Sequence, residues 1–270
     1  MTAIPIEAQG VEKGYGEVRA LRGVSLAIAP GSAVGLVDPN GAGKSSLLRI
    51  LCGLSRPDAG AASIHGHDPI RDPARVNALL GCVPEQLPLF DLLTGHEQLL
   101  WVGQLHDVPA AALDRRIGEL TAAVDLTKAL HRRIGGYSKG MRQKLAFVAA
   151  LIHDPRVILM NEPFDGVDVL AVQAMKDVLS QFVEAGAAIV LSSHVLQLVE
   201  DVCQRFIVIN DGLIAFDGDR QALSREADRL SAGAAGSGRS LESVFLGLVA
   251  PGRLSSRLRT VAAHHIGGLE

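Results

Sequence analysis

The chain has little with which to staple itself, cross a bilayer or hold a partner by charge alone. It has 3 cysteines in 270 residues, an odd number scattered at Cys52, Cys82 and Cys203. No metal-ligand spacing links them, so buried free thiols in a reducing compartment are expected. No apolar run approaches the roughly 20 residues that a membrane span needs. The longest, Leu145 to Ile152 and Ala187 to Leu191, are core-sized, so any membrane role has to come through a partner. Met1 to Gly10 lacks a basic start followed by an apolar run, and no secretory signal is expected. Net charge is −3, without a basic stripe, which argues against a nucleic-acid partner. No internal repeat is found. Aromatics are only 4% while apolar residues reach 48%, a composition that suits alternating strands and helices.

What is present is concentrated in a few segments. The run Asp38-Pro39-Asn40-Gly41-Ala42-Gly43-Lys44-Ser45-Ser46 follows an apolar strand, Ala33 to Val37, and opens an apolar helix, Ser45 to Leu54. That is the context of a phosphate-binding loop. Glycines let backbone N–H groups turn towards phosphate, and a helix N-terminus adds the positive end of its dipole. Asn40, Gly41, Ala42, Gly43 and Ser46 would line the nucleotide. Lys44 would reach the β- and γ-phosphates, and the Ser45 hydroxyl would ligate Mg²⁺. The first glycine of the usual G-x-x-x-x-G-K-[ST] pattern is Asp38 here.

Along the rest of the chain, Val24 to Ile28 alternates as a strand, Arg56 to Gly60 is a turn, and Ala61 to His65 is a short strand. Asp72 to Leu79 reads as a helix and Gly81 to Val83 as a core strand. Thr94 to His153 is helical, broken near Pro109 and at Gly135-Gly136. Strands at Arg156 to Met160, Ala187 to Leu191 and Arg205 to Ile209 alternate with helices at Val167 to Glu184 and His194 to Cys203. This order implies a parallel sheet carrying a helical insertion. The pattern weakens from about Gln221, and Ser231 to Ser240 reads as a flexible Gly/Ala/Ser linker.

Val157-Ile158-Leu159-Met160-Asn161-Glu162-Pro163 places a carboxylate just past a buried strand, at the edge where parallel sheets bind ligands. Glu162 there could orient or deprotonate a water. With this segment the chain resembles the ATP-binding subunits of ATP-binding cassette (ABC) transporters. In that family the strand ends Asp-Glu-Pro, the aspartate holding Mg²⁺ through water and the glutamate acting as base. Asn161 replaces the aspartate here. Gly136-Tyr137-Ser138-Lys139-Gly140-Met141 resembles the family signature Leu-Ser-Gly-Gly-Gln, with Ser138 and Gly140 kept. In the family this surface comes from the opposite subunit and closes on the γ-phosphate. Without the family, Ser138 is a helix N-cap. Ser192-Ser193-His194 matches the family's switch histidine, Asp165-Gly166-Val167-Asp168 the acidic loop where subunits touch, and Tyr15 the aromatic that stacks on adenine.

Val83-Pro84-Glu85-Gln86-Leu87-Pro88-Leu89-Phe90 resembles the loop carrying a metal-sensing glutamine, and either Glu85 or Gln86 fits that role. The adjoining surface in the family receives a short helix of the membrane partner. Leu92, Leu93 and Trp101 could line that groove or serve the core. Ser240 to Leu246 resembles the closing helix of the exporter branch.

The resemblance implies an α/β protein with a P-loop NTPase core: a mainly parallel sheet, a small N-terminal antiparallel β region and an inserted helical subdomain. Residues 1–220 would form the nucleotide-binding domain, with the helical subdomain at about 87–153, and 221–270 a linker and helical tail. It implies ATP and Mg²⁺ as ligands, a second ATP-binding subunit, an integral membrane permease, and a peripheral place on the cytoplasmic face of the cell membrane. Two alternatives stand beside this reading: a degenerate nucleotide-binding subunit with little hydrolysis, and a soluble family member unlinked to transport. Asp38 and Asn161 fall in one pocket. A carboxylate roughly 8 Å from the triphosphate costs about 2 kcal/mol at an effective dielectric near 20. An amide keeps an acceptor oxygen but loses the charge that favours the metal. Weaker binding of Mg-nucleotide and slower turnover are expected.

Overall fold

A computed structural model describes residues 4–37 and 43–231, with Leu241, Glu242, Phe245 and Leu248 beyond them. Asp38, Pro39, Asn40, Gly41 and Ala42, and most of the tail expected to be linker and closing helix, lie outside the described residues. Strands β1 (Ile6–Tyr15), β2 (Val18–Ile28) and β4 (Ala59–Ile64) make an antiparallel sheet in the order β2-β1-β4. Strands β3 (Ser32–Val37), β5 (Leu80–Val83), β6 (Val157–Asn161), β7 (Ala188–Ser192), β8 (Arg205–Asn210) and β9 (Leu213–Asp219) make a second sheet, ordered β5-β6-β7-β3-β8-β9. All its pairings are parallel except that of β8 with β9.

The reason for a parallel sheet is legible in its strands. All five residues of β6 and of β7 are buried. A strand that reads as one apolar run, without alternation, needs cover on both faces. Here Ile158, Met160, Ile189 and Leu191 belong to one core, and Val157, Leu159, Ala188 and Val190 to a second. The first core is closed by the helical insertion, and the second by α1 (Lys44–Leu51) and the antiparallel sheet.

Between β5 and β6 the chain is helical: α3 (Gly95–Leu105), α4 (Ala110–Ala123), two 3₁₀ turns at Thr127–Ala129 and Ile134–Gly136, and α5 (Lys139–Leu151). The expected breaks fall where Pro109 caps α4 and where Gly135-Gly136 close the second 3₁₀ turn. Thr94 and Glu97 form a reciprocal capping box that starts α3. A short α2 (Pro73–Leu79) precedes β5. Helices α6 (Val169–Glu184) and α7 (Leu196–Val202) connect the later strands. Among the described residues, no helix is long and apolar enough to cross a membrane.

Two elements escape the sequence pattern. β9 is an edge strand whose apolar run, Leu213 to Phe216, is only half-buried, held to β8 partly by Arg205, whose Nε and Nη2 each donate to Asp217 at 2.6 Å. α8 (Arg220–Ser231) is mostly polar and buries Leu223 and Ala227, four residues apart on one face. Leu241, in the expected closing helix, and Leu248, two residues past it, are buried in the first core, and the Asn210 side-chain amide donates to the Leu248 carbonyl at 3.3 Å.

His153 ties the helical block to the sheet. Its ring stacks on His106 at 3.7 Å, its Nε2 lies 3.1 Å from the Leu80 carbonyl, and its buried Nδ1 has no hydrogen-bond partner. A neutral ring with the proton on Nε2 satisfies that geometry, whereas a charged ring would bury an unpaired N–H. Burial first, and then the neighbouring His106, lower the His153 pKa to about 4. A histidine whose folded pKa lies below its unfolded value stabilises the fold fully above the unfolded pKa, and that stability is lost as pH falls towards the folded one. Urea melts should therefore show stability dropping by about 2 kcal/mol between pH 6.5 and 4. His153→Gln, which keeps a donor for Leu80, should flatten that slope.

Candidate active site

The site gathers at the C-terminal edge of the parallel sheet, where β3, β6 and β7 end. Gly43, the N-cap of α1, has φ +119°. A Cβ there would sit 2.3 Å from the Ala20 carbonyl oxygen and 2.8 Å from Leu21 Cδ2. The close approach to β2 and the positive φ both demand glycine. Lys44 and Ser45 follow as the first residues of α1, and Ser46 lies beside them half-buried.

Glu162 is the centre of the arrangement. Its Oε1 lies 3.7 Å from Lys44 Nζ. Its Oε2 accepts from Ser193 Oγ at 3.1 Å and meets His194 Nδ1 at 2.9 Å. A carboxylate only accepts, so Nδ1 carries the proton in that contact. The Glu162 backbone is fixed as well. Its N–H donates to the Ser192 carbonyl at 2.9 Å, and its carbonyl accepts from Gln143 Nε2 at 3.1 Å. Its φ is +51°, a left-handed conformation that costs a non-glycine residue about 1 kcal/mol or more. The Lys44 side chain is only 11% exposed and that of Glu162 23%, so solvent screens their attraction less than it would a surface pair.

Ser45, Glu85, Gln86 and Asn161 all line one cavity of 970 Å³. The structure thus brings together the four candidate metal holders. A hydroxyl, an amide carbonyl and a carboxylate form an all-oxygen set, which fits a hard cation such as Mg²⁺. Among the described residues no cluster of three His, Cys, Asp or Glu could hold a metal, so a site here has to draw on serine and amide oxygens. Asn161 is buried, and its Oδ1 already accepts from Ser192 Oγ at 2.6 Å. One lone pair of that carbonyl remains. Glu85 and Gln86 are both exposed, and their loop is held from behind by the buried Gln98. That side chain accepts from the Phe90 N–H at 3.1 Å and donates to the Pro88 carbonyl at 3.4 Å.

Tyr15 ends β1 with its ring 49% exposed, and Lys13 Nζ is 5.5 Å from the ring centroid. Ser138 and Gly140 belong to a second surface. Ser138 is exposed and caps α5, its Oγ accepting from the Met141 N–H at 3.3 Å. Gly140 is buried, and a Cβ there would lie 2.4 Å from the Gly166 carbonyl oxygen. This glycine is needed for packing against the 165–168 turn. Lys139 pairs with Asp165 at 2.6 Å and Lys144 with Asp168 at 3.0 Å, so those acids are used within the chain.

Asn40, Gly41 and Ala42, expected around the nucleotide, and the departure at Asp38 lie outside the described residues. Sequence reasoning gave no role to Ser192, Ser193, Gln143 or Gln98. The two serines adjoin His194, and strand register alone sets Ser192 opposite Asn161. Gln143 lies inside the signature-like segment Gly136 to Leu145, two residues past Met141. Nothing in the sequence marks Gln98, a polar residue on an otherwise apolar helix face.

Residues 21–165 match the family model described as ABC transporter. The ABC transporter ATP-binding protein NatA of Bacillus subtilis is 35% identical over 207 residues, 76% of this chain and 84% of that protein. The doxorubicin resistance ATP-binding protein DrrA of Mycobacterium tuberculosis is 34% identical over 224 residues, 82% of this chain and 68% of that one. A solved ATP-binding subunit of an ABC transporter superposes with a TM-score of 0.82 at 29% identity, covering 90% of this chain and 98% of its own. A dimeric ATP-binding cassette in a post-hydrolysis state with ADP and phosphate shares the fold, with a TM-score of 0.71 at 24% identity over 79% of this chain and 98% of that one.

The left-handed backbone at Glu162 can be tested apart from its chemistry. Glu162→Gly and Glu162→Ala both remove the carboxylate, but only glycine relieves the conformation. The glycine variant should be more stable than the alanine variant by about 1 kcal/mol in denaturant unfolding. Equal stability would mean that the turn is unstrained.

Proposed function

We infer, on the premise that this chain belongs to the ABC transporter family of ATP-binding subunits, how its residues divide the work. It is an ATP-binding, ATP-hydrolysing subunit that energises a membrane transporter. The reading of its site rests on one observation: Glu162 is held between Lys44 and His194 at the sheet edge.

In-line attack of water on the γ-phosphate needs positioning and charge stabilisation more than covalent chemistry. Lys44, which now faces Glu162, turns to the β- and γ-phosphates when ATP enters and neutralises their growing charge. Glu162 is thereby left with one oxygen to accept the proton of the attacking water. His194 donates from Nδ1 to Glu162. Its neutral ring then presents the Nε2 lone pair to the same water, and a protonated ring would donate from Nε2 to phosphate. Ser193 shares the load on Glu162 Oε2 and keeps the carboxylate in one rotamer. Ser45 and Asn161, with Glu85 or Gln86, are the residues that would hold Mg²⁺, which when bound offsets the charge of the phosphate oxygens. Tyr15 stacks on adenine. Subunits of this family dimerise and work with a permease, and the Ser138 surface of a second subunit, with the buried Gly140 beneath it, closes over the γ-phosphate. We place the assembly at the cytoplasmic face of the cell membrane, with a homomeric or heteromeric pair of ATP-binding subunits. An exporter is favoured because relatives such as DrrA carry drug-resistance names.

A second reading, a nucleotide-binding subunit with little hydrolysis of its own, is favoured by one contact: Ser192 occupies one lone pair of Asn161 Oδ1. The Mg²⁺-dependent ATPase rate of the purified protein separates the two. A working subunit should lose about 100-fold or more in Glu162→Gln while still binding ATP. A wild-type rate at background that Asp38→Gly with Asn161→Asp restores would instead select the second reading.

A further inference from the structure

Cys52 and Cys82 are far apart in the chain, yet their Sγ atoms lie 3.2 Å from each other. Cys52 caps the C-terminal end of α1, and Cys82 is the third residue of β5. Both are half-buried and both line the 970 Å³ cavity, whereas Cys203 is buried at 2% exposure. The ATPase chemistry uses none of the three. We propose that Cys52 and Cys82 are a redox-active dithiol that hydroperoxides convert to a disulfide, a modification site that fastens α1 to β5.

The pair has the asymmetry such a reaction needs. The hydrogen bond shared with Cys52 lowers the Cys82 thiol pKa against the pull of burial. The same contact, and then burial, push Cys52 up. Cys82, on that direction, is the attacking sulfur, and the same balance holds with the two sulfurs exchanged. It forms an S–O bond as the peroxide O–O bond breaks. The other oxygen leaves with a proton as water or alcohol, and Cys82 is left as a sulfenic acid. Cys52 sulfur then attacks Cys82 sulfur. The S–S bond forms, the S–O bond breaks, and hydroxide leaves as water with the Cys52 proton. Two thiols give up two electrons and one peroxide takes them. The sulfurs need to close by about 1 Å to reach bonding distance.

The location gives the bridge its consequence. α1 starts at Lys44 and Ser45, and β5 runs directly into Pro84, Glu85 and Gln86. A covalent tie across the cavity wall fixes the phosphate-loop helix against the strand that carries the metal-sensing loop. ATP affinity should change as a result, whether or not the subunit hydrolyses what it binds.

The test uses the full chain, freed of reductant and treated with a few equivalents of hydrogen peroxide. Peptide mapping should find Cys52 linked to Cys82 with a loss of about 2 Da, Cys203 still alkylatable after denaturation, and full reversal by dithiothreitol. Cys52→Ser should stop at a Cys82 sulfenic acid that dimedone traps. Affinity for a fluorescent ATP analogue should fall about fivefold on oxidation and recover on reduction. No 52–82 linkage would overturn the proposal, as would an affinity loss that persists in the Cys52→Ser/Cys82→Ser double variant. A linkage that forms without any change in affinity would overturn the coupling to α1.

Discussion

The pairing of β6 with β7 is the constraint on which the site depends. The two strands run parallel from Val157 opposite Ala188 to Asn161 opposite Ser192. Because both faces of this pair are buried, a slip by one residue would turn each side chain into the wrong core. The register therefore has a single solution, and the solution ends with Asn161 and Ser192 side by side. One residue further, the Glu162 N–H still reaches back to Ser192 while its side chain meets Ser193 and His194. The Glu162 carboxylate is thus placed by strand packing within the core, at the edge where parallel sheets bind ligands.

The same physics explains how much was legible in the sequence. The parallel sheet could be read because Val157 to Met160 and Ala187 to Leu191 are unbroken apolar runs. The helical insertion could be read because its breaks carry Pro109 and Gly135-Gly136. β9 and α8 escaped, since a half-buried apolar run of four residues on an edge strand and a mostly polar helix impose no clear period. At the site, Lys44, Ser45, Glu162 and His194 announce themselves through motif and position. Gln143, Ser192 and Gln98 do not, because they act through contacts with residues distant in the chain. Cys52 and Cys82 belong with them: spacing makes the two look unrelated, and only the fold makes them neighbours. Gly140 shows a subtler difference. A signature-like glycine suggests close approach to phosphate, yet its own chain requires it for contact with Gly166.

Asn161 illustrates how a single departure is absorbed. An aspartate at this buried position would bring a charge that needs a cation or several donors. An asparagine brings no charge, and its carbonyl already accepts from the Ser192 hydroxyl. The substitution therefore suits a resting state in which Lys44 is already engaged with Glu162, so that the pocket is balanced before any ligand arrives.

Gln143 gives the arrangement a mechanical meaning. It sits on α5 and holds the Glu162 carbonyl, while Gly140 on the same helix presses against Gly166 and Lys144 grips Asp168. The turn that carries Glu162, the acidic turn after it and the start of α5 are thereby tied together. A peptide rotation at Glu162 as it leaves its left-handed geometry would swing the tip of α5 with it. The outer rim of the subunit would then register the state of its own hydrolytic centre, and a neighbour touching that rim could sense bond cleavage without touching the nucleotide it came from.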